Sequence, residues 1–178
     1  TATVTVAAVT LCLEYLEGRA FDWDLVAVAT AQEETRLLGA YPAAFAEQPD
    51  AAIAIDVCFA KGAGLSDSPL ILGGGPSIDI GPDIHPGMIK ALRETAKALE
   101  MKVSSTAYGR PGGTDANALQ VSRAGIPTGV LSIPLRYMHT MVETVDAADV
   151  ERVGRLLGEF VTRLDDKFLD ELAKGMMD

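Results

Sequence analysis

Cysteine, histidine and aromatic side chains are scarce in this 178-residue chain, and the shortages close off several functions. Two cysteines, Cys12 and Cys58, are too few and too far apart for a cysteine-type zinc site. Both lie in apolar stretches, "VTLCLEYL" and "AIDVCFA", where a small buried hydrophobe is the plain reading. Positive charge is short as well, since 15 Lys and Arg against 25 Asp and Glu leave a formal net charge of −10. Such a surface repels a phosphate backbone, and no basic stripe or repeated aromatic platform offsets it, so no nucleic acid partner is expected. The apolar runs are too short to cross a bilayer, so no membrane partner is expected either. "TATVTVAAVT" shows no basic stretch and no small-residue cleavage pattern of a secretory signal.

What the chain has is enough apolar material, 48% of its residues, for one domain with a sizeable core. "VTVAAVTLCLEYLEG" predicts a helix over residues 4–16, closed by Gly18. "DLVAVATAQ" predicts a buried strand ending near Ala31, "TRLLGAYPAAFAEQ" a short helical stretch and "AAIAIDVCF" the next strand. The Gly- and Pro-rich segment from Ala60 to Gly87 reads as a long functional loop with one or two short strands. After it, Met88, Ile89, Leu92, Ala96 and Leu99 share one helical face; "KVSSTAY" reads as a strand, "TDANALQVSRAG" as a helix ending at Gly125, and "IPTGVLSIPL" as a strand. The run "DAADVERVGRLLGEFVTRLDDKFLDELAKG" predicts a long helix with Asp146 as its N-cap and an apolar stripe from Val150 to Leu172. Alternation of this kind predicts an α/β fold, a three-layer αβα domain with a mixed sheet, and in such sheets ligands meet the loops beyond the strand ends.

The unusual polar residues fall at those addresses. Glu33 and Glu34 follow one predicted strand, Asp56 sits within "AIAID", Asp115 follows the turn "RPGG", and His139 follows "LSIPLRYM". Each has a bland reading: adjacent glutamates suit a solvated helix start, Asp56 a strand-end cap, "GRPGGTDA" a turn and helix cap, and His139 a structural histidine. Together they also form a set chemically suited to zinc or a related divalent ion, because an ionised carboxylate inside an apolar strand needs hydrogen bonds or a cation. Adjacent carboxylates leave a strand end in different directions, so Glu34 can hold a metal while Glu33 accepts a proton from water. The same adjacency argues against sugar hydrolysis, which needs two carboxylates across a glycosidic bond.

The segments "TAQEETRLLGA", "AIAIDV", "RPGGTDANAL" and "IPLRYMHTMVETVDAADV", in this order, resemble the M42 family of dinuclear metallo-aminopeptidases, the glutamyl-aminopeptidase and tetrahedral-aminopeptidase group of the zinc-exopeptidase fold. The resemblance covers essentially the whole chain and the later part of that family's catalytic domain. It implies Glu33 as general base, Glu34, Asp56 and His139 as metal ligands, and Arg110, Gly113, Thr114 and Asp115 near the substrate. It further implies two divalent ions, zinc or cobalt, peptides with a free N-terminus as substrates, a homo-oligomer and a cytoplasmic location.

The departures from the family pattern matter equally. No aspartate occurs before Asp22, so the family's early His-x-Asp element and metal-bridging Asp have no match, and its inserted β-rich dimerisation domain has none either. The expectation is a single partial catalytic domain over residues 1–178 with impaired hydrolysis; a non-catalytic assembly or scaffold domain of the same fold is the alternative. Asp79, Asp83 and His85, in "SIDIGPDIHPG", match a later loop; a capped turn before a helix is their expected role, and shaping of the site or an oligomer contact is the alternative.

Overall fold

The computed structural model describes residues 2–65 and 67–174. Ser66 of the expected long loop and Gly175 at the expected end of the last helix lie outside the described residues.

Two strands form the centre. β1 (Ala52–Phe59) and β3 (Thr128–Arg136) are runs of apolar and β-branched residues, and they pair in parallel from Ala52 opposite Thr128 to Phe59 opposite Leu135. The short strands β2 (Ser77–Ile78) and β4 (Thr144–Val145) both pair antiparallel with β3, which makes the sheet mixed.

The two-residue period of the strands sends alternate side chains to two helical layers. One face meets α1 (Ala2–Leu16), α3 (Pro86–Ala98), α5 (Ala147–Thr162) and α6 (Phe168–Lys174) in a core that includes Val57, Met88, Leu92, Leu131, Ile133, Leu135, Val153, Leu156 and Phe160. The other face is thinner: Ala54 and Val130 pack with Ile84 and with Ala116 of α4 (Ala116–Leu119), and α2 (Ala40–Glu47) lies against α4. The result is the expected αβα arrangement. α1 and α5 approach closely because Gly154 presents no side chain: a Cβ there would stand 2.6 Å from that of Leu11.

Both expected caps form. The Asp146 carboxylate accepts from the Ala148 N–H at 2.9 Å, and His85 Nδ1 accepts from the Gly87 N–H at 3.1 Å to start α3, with Pro86 in the first turn.

Four elements differ from the sequence reading. Residues 24–31 form no strand; Leu25, Val26 and Val28 are 40, 54 and 48% exposed, because no described strand lies beside them to complete a ladder. "KVSSTAY" contributes only isolated bridges, from Ser104 to Ser77 and from Ala107 to Ile80. The helix expected up to Gly125 stops after four residues as α4: the Asp115 carboxylate, at the capping position, makes no cap and bonds to Thr30 instead. The long C-terminal helix is two, since α5 ends at Thr162 and Asp165 forms a turn by accepting from the Lys167 N–H at 3.0 Å before α6.

Candidate active site

The site lies where the thin face of the sheet runs out at the C-terminal end of β1. Asp56 and Cys58 share that face by alternation, and the register sets Asp56 opposite Ser132 of β3. Across from them, the segment from Thr30 to Gly39 folds back on itself. The Gly39 N–H donates to the Ala31 carbonyl at 2.8 Å, and Glu33–Thr35 form a single 3-10 turn. Gln32, Arg36 and Leu37 carry positive φ angles of 58°, 126° and 59°, a run of left-handed backbone that side-chain-bearing residues rarely adopt. Such a turn needs an anchor, and the Thr30 hydroxyl supplies one by donating to Asp115 Oδ2 at 2.6 Å. On the third side, after β3, Tyr137 and His139 also have positive φ, and the His139 N–H donates to Glu143 at 2.8 Å.

These segments enclose a cavity of about 240 Å³ whose wall contains Glu33, Glu34, Asp56 and His139, together with Gly113 and Thr114. Four residues expected to act together thus share one space although they come from three distant parts of the chain. His139 Nδ1 lies 3.9 Å from Glu34 Oε2, and both side chains are 61% exposed. Arg110 is exposed and outside the cavity wall; Asp115 also stands outside the wall, behind it, gripping Thr30. The other oxygen of Asp115 is buried with no hydrogen-bond partner.

Sequence reasoning missed several residues of the wall, Val57, Phe59, Ile84, Tyr108 and Met138, and gave the carboxylates of Asp79 and Asp83 a place in the site only as the alternative to a capped turn. Asp83 accepts from the Gly112 N–H at 3.0 Å and so fixes the glycine turn against the cavity. Asp79 is 1% exposed, with one oxygen accepting from Ser77 Oγ and the other from Ser132 Oγ, each at 2.6 Å. The signal for Asp79 was present in "SIDIG", where Ser77 and Asp79 alternate onto one face.

Crowded carboxylates resist ionisation. Burial, then the charges of Asp56, Glu34 and Asp115, push Glu33 up to about 7. Burial also pushes Asp56 up to about 6 against the opposing Val57 N–H, which donates to it at 2.7 Å; the Glu34, Asp115 and Asp79 charges add to the rise. A carboxylate poised near neutrality can accept a proton as well as release one, and a cavity crowded with acids favours a cation.

Among the described residues, no three His, Cys, Asp or Glu side chains are gathered closely enough to hold a metal ion. The donor chemistry nevertheless fits a divalent cation, because two carboxylates and an imidazole line one cavity, the Glu34 and His139 heads are unconfined by packing, and a cation relieves the repulsion that raises Glu33 and Asp56.

Residues 3–156 match the sequence profile of the M42 glutamyl aminopeptidase family. The chain belongs to that family. It is 46% identical to a lysyl aminopeptidase of Pyrococcus furiosus over 136 residues, which cover 75% of this chain and 39% of the relative. It superposes on the aminopeptidase APDkam598 of the archaeon Desulfurococcus kamchatkensis with a TM-score of 0.81 at 31% identity, covering 93% of this chain and 49% of the other. The dodecamer of PhTET1-12s gives a TM-score of 0.76 at 27% identity, covering 89% of this chain and 48% of that one. The chain therefore spans less than half the length of the curated relatives it matches. No helix of the described residues is long and apolar enough to cross a membrane.

Proposed function

We propose that this chain is a partial M42 catalytic domain, built for metal-dependent hydrolysis of the N-terminal peptide bond of peptides. The observation that carries this reading is the shared cavity of Glu33, Glu34, Asp56 and His139. Glu34, Asp56 and His139 are the residues that would hold a divalent ion, zinc or cobalt. When bound, the ion supplies Lewis-acid polarisation and lowers the pKa of a water. Glu33 takes the proton of the attacking water and returns it to the departing amine, a task that its position near neutrality suits. Gly113 and Thr114 border the space the substrate would fill. Arg110 and Asp115 act from outside that border, Asp115 by holding the glutamate turn through Thr30.

Three donors serve one ion better than two, so turnover by this chain alone is expected to be weak. Peptides with a free N-terminus are the proposed partners, in a cytoplasmic setting. A homo-oligomer is part of the same reading, supported by the assembly of PhTET1-12s as a dodecamer.

Metal titration by calorimetry, followed by assay on aminoacyl-anilides, tests the proposal. Glu33→Gln should keep the fold and metal affinity and remove the turnover that remains. Two ions bound with ordinary turnover would contradict the impaired site, and loss of folding in Glu33→Gln would make the residue structural. Exposed Leu25, Val26 and Val28 favour the scaffold alternative, which predicts association indifferent to metal in light scattering.

A further inference from the structure

The cavity wall carries a pattern that water activation alone does not require. Besides the four residues of the hydrolytic site it contains Asp79 and Asp83; among the described residues it has neither lysine nor arginine, and its apolar part includes Ile84, Val130 and Met138. A ligand matched to such a wall is apolar along its stem and positively charged at its end.

The two additional carboxylates differ in what is left of them. Both oxygens of Asp79 are taken, one by Ser77 Oγ and the other by Ser132 Oγ. Asp83 is 4% exposed, and its Oδ2 accepts from the Gly112 N–H at 3.0 Å, but no described group donates to its Oδ1. That oxygen is not sealed into the protein either. The space beside it depends on Gly81, where a Cβ would stand 2.8 Å from Oδ1. Gly81 lacks the positive φ that would demand glycine for the backbone's sake, so the opening is what its missing side chain provides.

Asp83 also stands apart from the metal donors. The charges felt by Glu33 are those of Asp56, Glu34 and Asp115, those felt by Asp56 are of Glu34, Asp115 and Asp79, and Asp83 belongs to neither set. Its partner Gly112 instead leads into Gly113 and Thr114, which border the space for substrate. A carboxylate held almost wholly inside the protein with one oxygen unpaired is costly, and a ligand cation brought in beside it removes that cost.

We propose that Asp83 Oδ1 receives the cationic head of the substrate's N-terminal side chain, so that the site takes peptides beginning with lysine or arginine. The proposal rests on the aminopeptidase reading and names its substrate class. Ile84 and Val130, packed together in the wall, offer the stem an apolar surface, and Gly81 leaves the head its room. An acidic side chain would meet carboxylates with no counter-charge, and a neutral one would leave Oδ1 unpaired.

The test compares L-lysinamide with L-norleucinamide, which has the same α-amino group and carbon stem without the side-chain charge, by calorimetric or NMR titration of the full chain with and without zinc. The wild type should bind lysinamide roughly tenfold more tightly, as expected for a hydrogen bond between charged groups. Asp83→Asn keeps an acceptor for the Gly112 N–H and should bring lysinamide down to the level of norleucinamide, leaving the affinities for norleucinamide and zinc unchanged. Gly81→Ala keeps the charge but crowds Oδ1; it should lose most of the same preference, and it decides the matter if Asp83→Asn does not fold. Equal affinity for the two amides in the wild type, or a preference that survives Asp83→Asn, would overturn the inference and leave the hydrolase reading standing. Weaker zinc binding in Asp83→Asn would make the residue a metal donor and overturn it as well. Binding of neither amide, with or without zinc, would remove both readings.

Discussion

The two faces of one pair of strands have opposite characters. On the face toward α1, α3 and α5, Val57, Leu131, Ile133 and Leu135 join a large apolar core. On the other, the intervening positions Asp56 and Ser132 stand side by side, a half-buried carboxylate and a serine that donates to a second, fully buried one. Stability is concentrated on the first face, which leaves the second able to hold crowded acids and the left-handed glutamate turn. A period of two lets eight or nine residues serve both ends without compromise.

The largest way to break that contrast is a cavity on the apolar face. Leu156, wholly buried in α5, should lose about 2–5 kcal/mol of unfolding free energy on change to alanine. Glu34→Gln, on the exposed rim, should stay within about 0.5 kcal/mol in the same denaturant titration. Equal losses would show that the rim is part of the core's support. A smaller effect is expected at the start of α5: Asp146→Ala removes the acceptor of the Ala148 N–H and should cost about 1 kcal/mol while leaving zinc affinity unchanged.

The apolar face was also the legible one. β1, β3 and the caps at His85 and Asp146 follow from local residues alone, because a β-branched run or a capping side chain states its own requirement. Residues 24–31 carry an equally apolar message, yet a strand is a property of a pair, and Leu25 to Val28 find no ladder among the described residues. α4 is short for a similar reason: Asp115 reads as a helix cap until Thr30, 85 residues away, takes its carboxylate. In the site, strand-end positions and the family resemblance led to Glu33, Glu34, Asp56 and His139. Tyr108 escaped, and Asp79 reads from its neighbours first as part of a capped turn, since its bonds depend on Ser132 and on the register that sets Ser77 opposite it.

The smallest effect tests the polar face by its charge. Unfolded, Glu33 and Asp56 ionise in the ordinary carboxylate range near 4; folded, burial and neighbouring acids hold their protons until about 7 and about 6. Between those limits the native state binds more protons than the unfolded chain, so their contribution to stability falls as pH rises from about 4.5 and is fully lost above about 7. Glu33 is partly open to solvent, which screens its share and keeps the effect modest. Thermal unfolding between pH 5 and pH 8 should therefore show a steeper decline for the wild type than for Glu33→Gln with Asp56→Asn, and the variant should be the more stable of the two at pH 8. Zinc added at pH 8 should recover the loss in the wild type only, because the amides carry no charge for it to neutralise. Parallel pH profiles would mean that the acids are already satisfied, and the difference between the two faces would be one of shape alone.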